Sequence, residues 1–269
     1  MSHDGYMMES EDEVIRLDIK TNGRVVEKNA SWAGLKQGMR VADIGCGSGK
    51  TTFHLNKLIQ PGGKALGLDL AKQRIDYAAG HYGEKGIDFI CRDVREPLDD
   101  LGQFDFVWVR FLLEYYSSSS FDIIKHISGI LKPGGILCLI DLDYNCLVQY
   151  GFSKRLGDNI NSIMSAVEKK YDFDPYVGKK LYSFLYDMGY QNIQANIQPH
   201  NLIYDKISSE AAFNWTKKIE VAVKQSGYEF KDYPGGFNEF FDEFQNDIHN
   251  PRRFSYSVKV TCRGVKPSP

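Results

Sequence analysis

Val41-Ala-Asp-Ile-Gly-Cys-Gly-Ser-Gly-Lys-Thr-Thr52 is the stretch on which the fold turns. A short apolar run meets an aspartate, Asp43, and then breaks into Gly45, Gly47 and Gly49 before residues that favour a helix. Glycine adopts left-handed backbone at little steric cost and lets a ligand approach the main chain. The N-terminus of the following helix turns unpaired N–H groups toward the same space. In open α/β sheets such a crevice, at the carboxyl ends of strands, is where ligands bind. Two nucleotide templates fail on the stretch. The phosphate loop GxxxxGK[ST] ends correctly at Gly49-Lys50-Thr51, but Ile44 stands where its first glycine belongs. The dinucleotide pattern GxGxxG is met by Gly45 and Gly47 and broken by Lys50.

Outward from this turn, strand and helix signals alternate, the pattern of a parallel sheet covered by helices. Strands are expected at 39–45, 64–69, 87–92, 104–110 and 136–141, with helices at about 50–59, 71–82 and from the Ser117–Ser120 run onward. Pro61-Gly-Gly63 and Lys132-Pro-Gly-Gly135 punctuate the pattern. After Asp143 the pattern changes. Residues 145–172 and 177–188 read as helix, 193–204 as a strand candidate and 210–224 as helix. Residues 254–262 alternate Phe254, Tyr256, Val258 and Val260 against Ser255, Ser257, Lys259 and Thr261, and read as a final strand.

The segments together resemble the class I S-adenosylmethionine-dependent methyltransferases of small-molecule type. The glycine turn looks like their first motif, Gly67-Leu-Asp69 like the acidic end of their second strand, and Cys91-Arg-Asp93-Val94 like their third motif. Phe104-Asp105-Phe-Val and Leu131-Lys-Pro-Gly-Gly-Ile-Leu resemble the fourth strand and the approach to the fifth. The resemblance is strong over residues 35–143 and returns at Asp174–Tyr190. It implies a Rossmann-like, seven-stranded, mostly parallel sheet with helices on both faces, a helical cap inserted after strand five and an N-terminal lid helix. The implied division is 1–34 lid, 35–144 cofactor-binding core, 145–190 cap, and 191–269 completion of the sheet with a further helical segment.

For the cofactor, S-adenosylmethionine, the resemblance assigns Asp43, Gly45, Cys46, Gly47 and Gly49 to the methionine end, with the Arg110 backbone carbonyl and Phe111 beside it. Asp69, with Leu70, would accept the two ribose hydroxyls, an arrangement that rejects ligands lacking them. Asp93 and Val94 would meet the adenine. Glu11–Lys20 resembles the closing helix, from which Arg16 would reach the methionine carboxylate. Methyl transfer is a direct displacement that needs alignment and exclusion of water more than a catalytic triad. Accordingly no HExxH and no Cys/His set at zinc spacing is present in the sequence, and no metal is expected. Acceptor-facing candidates are Phe111, Glu114, Tyr115, Asp141, Asp143 and Tyr144, with Asp141, Glu114 and Tyr144 as the catalytic set. A general base is required only where the acceptor must lose a proton early. His200 and His249 have no assignable place.

Composition narrows the function. Of 33 basic and 35 acidic side chains, residues 1–144 hold 17 and 21 and residues 145–269 hold 16 and 14. Neither part has the basic excess of a protein that tracks a phosphate backbone. Five cysteines without a CxxC read as reduced thiols, and the acidic N-terminus does not resemble a secretion signal. No apolar run has the length of a membrane span. The expectation is therefore a cytoplasmic methyltransferase acting on a small organic acceptor, with a homodimer left open and nucleic acid and membrane disfavoured. The competing readings are an RNA or protein methyltransferase, and a non-catalytic nucleotide-binding Rossmann-like module.

Overall fold

The computed structural model describes residues 11–83 and 86–268. The part of the expected lid at 1–10 lies outside the described residues. Two helices come first, α1 (Glu11–Lys20) and α2 (Gly23–Ala33), followed by β1 (Arg40–Ile44), α3 (Lys50–Ile59), β2 (Lys64–Asp69), α4 (Lys72–Tyr82), β3 (Ile87–Cys91), β4 (Phe104–Arg110) and α5 (Ser120–Ser128). The chain continues through β5 (Leu131–Tyr150), α6 (Lys154–Tyr171), α7 (Leu181–Asp187), β6 (Gln191–Ile203), α8 (Ser209–Ser226), α9 (Gly236–His249) and β7 (Phe254–Val265).

The strands form one seven-stranded sheet in the order β3-β2-β1-β4-β5-β7-β6. β1 runs parallel to both β2 and β4, while β7 runs antiparallel between β5 and β6. Central parallel strands are covered on both faces, so they read as continuous apolar runs. β4 fits this: Phe106, Val107, Trp108 and Val109 are all buried, alternating between two cores. One core gathers Val107 and Val109 with α5 and α7; the other gathers Phe106 and Trp108 with α2 and α3. Strand reversal at β1 places the carboxyl ends of β1, β2 and β4 around a single crevice, opposite the helix termini that feed them.

The N-terminal stretch divides at Asn22, whose side chain accepts from the Val25 N–H at 3.3 Å and starts α2. α1 lies over the glycine turn. Leu17 Cδ1 would be 3.3 Å from a Cβ placed on Gly47, and the Lys50 ammonium donates to the Asp18 carbonyl at 2.8 Å.

Residues 145–150, expected to be helical, instead extend β5. A register shift between Asp143 and Val148 interrupts the pairing, which resumes at Val148↔Tyr256 and ends at Tyr150↔Phe254. The strand therefore crosses the expected boundary at 144. The helical part is also not confined to 145–190: α6 packs with α8 and α9, which lie between β6 and β7, in a separate apolar cluster built on Leu156, Ile160, Trp215, Ile219, Phe240 and Phe244. α9 was not anticipated. No described helix is long and apolar enough to cross a membrane.

Candidate functional site

The glycine turn and the tip of β2 are bonded to each other. The amides of Gly45 and Cys46 both donate to the Leu68 carbonyl, at 2.8 and 3.0 Å. The Gly47 amide donates to one Asp69 carboxylate oxygen at 2.9 Å, and the Ala71 amide to the other at 3.0 Å. The Arg74 guanidinium stands 3.4 Å from the same carboxylate. Asp69 thus holds the turn and the start of α4 together, and each oxygen keeps a further lone pair for a ligand donor.

The three glycines have different reasons to be glycine. All have positive φ: 75° at Gly45, 56° at Gly47 and 83° at Gly49. A Cβ on Gly49 would lie 2.6 Å from Ala78 Cβ and 2.9 Å from Phe89 Cζ, so this position lets α3 close on α4 and β3. Gly45 faces Leu112 at 3.1 Å. At Gly47 the neighbour is a side chain of α1, the flexible Leu17, and the backbone there offers the close approach. Of the three, Gly49 is held by packing between helices and strand, whereas Gly45 and Gly47 meet only flexible leucine side chains.

Behind the turn Asp43 is buried and accepts the Thr52 hydroxyl proton at 2.6 Å. Burial pushes its carboxyl up to about 6, against the Thr52 hydrogen bond and the nearby Arg110 charge. Arg110 reaches from the end of β4 to the Thr51 hydroxyl at 2.7 Å and to Thr21 at 3.3 Å, tying α1 to the turn. Its neighbour Phe111 has a positive φ of 55°, which aims the ring between Arg110 and His200, with centroids of the latter pair 5.2 Å apart. Cys46 and Val94 are buried, and Leu70 is exposed. Asp93 forms an ion pair with Arg95 and accepts the Arg95 amide at 2.9 Å.

Several expected residues are placed differently. Arg16 turns back along its own helix into a two-point pair with Glu13, both contacts at 2.7 Å. Asp141 is wholly enclosed and accepts from the Leu113 and Leu142 amides, each at 2.9 Å. With its oxygens engaged by main chain it fixes the 3-10 turn at Leu113–Tyr115 from within the core. Tyr144 is half exposed, packs edge-on against Tyr176 at 5.2 Å and lies under Lys179. Asp105, at the opposite end of β4, binds the Arg40 amide and Lys132.

Glu114 does face inward. It is buried and accepts from the Asn145 side chain at 2.7 Å, and burial raises its carboxyl against the pull of Lys218 and Lys20. Around it stand groups the sequence reading missed. Lys20 closes α1, Lys218 comes from α8 and bonds Cys146 Sγ at 3.3 Å, and beyond them His200 of β6 and Lys259 of β7 lie on one face of the sheet, His200 opposite Ser257 and Lys259 opposite Gln198. One signal was available for Lys259, the strict alternation of β7. Its polar row, Ser255, Ser257, Lys259 and Thr261, is buried, whereas Phe254 on the apolar row is exposed. A separate cleft of about 300 Å³ between the far end of β5 and α6 includes Cys146, Tyr150 and Phe152 but none of the strand-tip carboxylates.

Residues 42–139 match the methyltransferase domain family. The demethylmenaquinone methyltransferase of Lactococcus lactis is 29% identical over 116 residues, 42% of this chain and 46% of that protein. The ubiquinone biosynthesis O-methyltransferase of Bordetella avium is 31% identical over 118 residues, again 42% and 46%. The chain thus spans about half the length of the curated relatives it matches. The YcgJ protein of Bacillus subtilis shares the fold at a TM-score of 0.58 and 16% identity, covering 92% of this chain and 100% of that one.

Proposed function

We propose that this chain, whose core is a class I S-adenosylmethionine-dependent methyltransferase domain, transfers the cofactor's methyl group to a small organic acceptor. The observation that carries the reading is the bond between Gly47 and Asp69: the glycine turn and the strand-two acid meet at one crevice. S-adenosylmethionine supplies a sulfonium-bound methyl that a nucleophile displaces directly. The residues fit that group. Asp69 keeps acceptor capacity for two ribose hydroxyls, and the close backbone approach at Gly47 suits the methionine end. Asp93 and Val94 serve the adenine in this reading. Asp43 and Arg110 position the turn through the Thr52 and Thr51 hydroxyls.

The chain's remaining work is alignment and exclusion of water. α1, seated against Gly47 and tied through Asp18 to Lys50 and Tyr82, covers the crevice. Glu114, held by Asn145, is the carboxylate placed to orient an acceptor or take its proton. Asp141 is a positioning residue for the turn that carries Glu114. The quinone-methylating relatives support a small-molecule acceptor. The five free cysteines support a reducing, cytoplasmic setting. Self-association belongs to the proposal and is read by gel filtration.

Isothermal titration with S-adenosylhomocysteine, ATP and NADH tests the assignment. Only the first is expected to bind, and Gly47→Val, which forces a β-branched residue into positive φ against Leu17, is expected to remove that binding. Binding of ATP in its place, or normal binding of S-adenosylhomocysteine by the variant, refutes it.

A further inference from the structure

We infer that the acceptor of this enzyme carries an acidic group, seated on the cationic cluster of Lys20, Lys218 and Lys259 with His200 at the carboxyl end of β4. The inference rests on the methyltransferase reading and names the class of substrate for that site. Lys20 and Lys218 gather where one carboxylate, Glu114, faces them, and all three lysines act on His200, whose ring meets Phe111 at 5.2 Å beside Lys20. Among the described residues neither Lys20 nor Lys259 has an ion-pair partner, although Lys259 is only 6% exposed. Lys20 Nζ has the Phe111 ring at 5.6 Å as its neighbour, and Lys218 Nζ has the Cys146 sulfur and the Trp215 ring.

Enclosing cations without counter-ions is unfavourable, and proteins ordinarily pair them. The lysine pKa values register the imbalance: burial, with the charges of Lys218 and Arg16, brings Lys20 down to about 7, and burial with Arg110 brings Lys259 to about 8. Two further polar atoms are shielded and without a partner, Nε2 of His200 and the Thr261 hydroxyl. His200 pairs with Ser257 and Gln198 with Lys259 across the strands, so ring and ammonium lie on the same face of the sheet. An anion set among them would accept from the lysines, the imidazole and the threonine, on the side where the Arg110 charge also acts on His200 and Lys259.

The test compares acids with their amides. Benzoate, 2-naphthoate and decanoate, each beside the corresponding amide, are titrated by calorimetry into the protein saturated with S-adenosylhomocysteine. At least one acid is expected to bind roughly tenfold or more tightly than its amide. In Lys218→Met and Lys259→Met, whose folding is checked by circular dichroism, that preference is expected to fall by about fivefold or more. Equal affinity of acid and amide, no binding by any acid, or a preference that survives both substitutions overturns the proposal. Failure of S-adenosylhomocysteine itself to bind refutes the underlying reading instead, and the acids' behaviour then no longer concerns an acceptor.

Discussion

Asp69→Ala separates what the carboxylate does for the protein from what it does for the cofactor. In the protein it receives two main-chain N–H groups, from Gly47 at 2.9 Å and Ala71 at 3.0 Å, and it is 5% exposed. A hydrogen bond to a charged acceptor contributes about 1.5–3 kcal/mol. The crevice admits water to part of the vacated space, so the expected loss of stability is about 2–4 kcal/mol. A domain with roughly 5–15 kcal/mol to lose remains folded. In the proposed complex the same carboxylate would accept two ribose hydroxyls, together about 3 kcal/mol, or roughly 100-fold in Kd. Slackening of the glycine turn alone also weakens binding, so affinity by itself does not identify the contact. The 2′-deoxy analogue of S-adenosylhomocysteine does. Wild-type protein is expected to bind it about tenfold more weakly than the parent, and Asp69→Ala to bind the two alike. Calorimetry reads both numbers, with circular dichroism to confirm folding. A folded variant that binds S-adenosylhomocysteine within about threefold of wild type, or that still discriminates against the deoxy analogue, refutes the ribose assignment.

Gly49→Ala is expected to cost about 3 kcal/mol in urea unfolding, combining left-handed backbone with a Cβ 2.6 Å from Ala78; a loss under about 1 kcal/mol contradicts the packing role. Asp43 binds its proton more tightly when folded, at about 6 against an ordinary 3.8, so its contribution is greatest below pH 4 and is lost as pH rises through 6. Relative to Asp43→Asn, wild type should therefore lose about 3 kcal/mol of stability between pH 4 and 7, and a flat difference across that window sinks the assignment. Asp141→Ala removes the acceptor for the Leu113 and Leu142 amides and should destabilise by about 2–4 kcal/mol, while Asp141→Asn recovers part of the loss; wild-type stability of the alanine variant would show that the turn holds without it.

The parallel core was legible because its physics is local. Buried strands such as Phe104–Arg110 advertise themselves as unbroken apolar runs, and glycine followed by a helix start marks the turn. The long reach of β5 was not legible. Tyr144-Asn-Cys-Leu carries a register shift and two residues at positive φ, Tyr144 and Cys146, and a bulge of this kind erases the alternation by which a strand is recognised. α9 does carry a signal, the helical spacing of Phe240, Phe244 and Ile248, all buried. Asp141 was misplaced for a further reason. An acid at a strand end reads the same whether it faces a ligand or caps the next turn, and only the amides of Leu113 and Leu142 decide.

The two halves of the site differ in legibility for the same physical cause. The cofactor side is made by main chain and carboxylates within one β-α-β unit, so Gly47 and Asp69, 22 positions apart, must meet once the strands pair. The other side is assembled from Lys20, Glu114, His200, Lys218 and Lys259, which no local rule brings together. Alternation in β7 says that Ser257, Lys259 and Thr261 share a face, and the usual expectation for an antiparallel strand sends such a face to water. Here the polar row is the one covered, and the desolvation of a covered lysine without a carboxylate is a cost that an anionic acceptor would offset. On the proposed reading the cofactor is written in the order of residues along the chain, whereas the acceptor is written in which polar face the tertiary packing closes over.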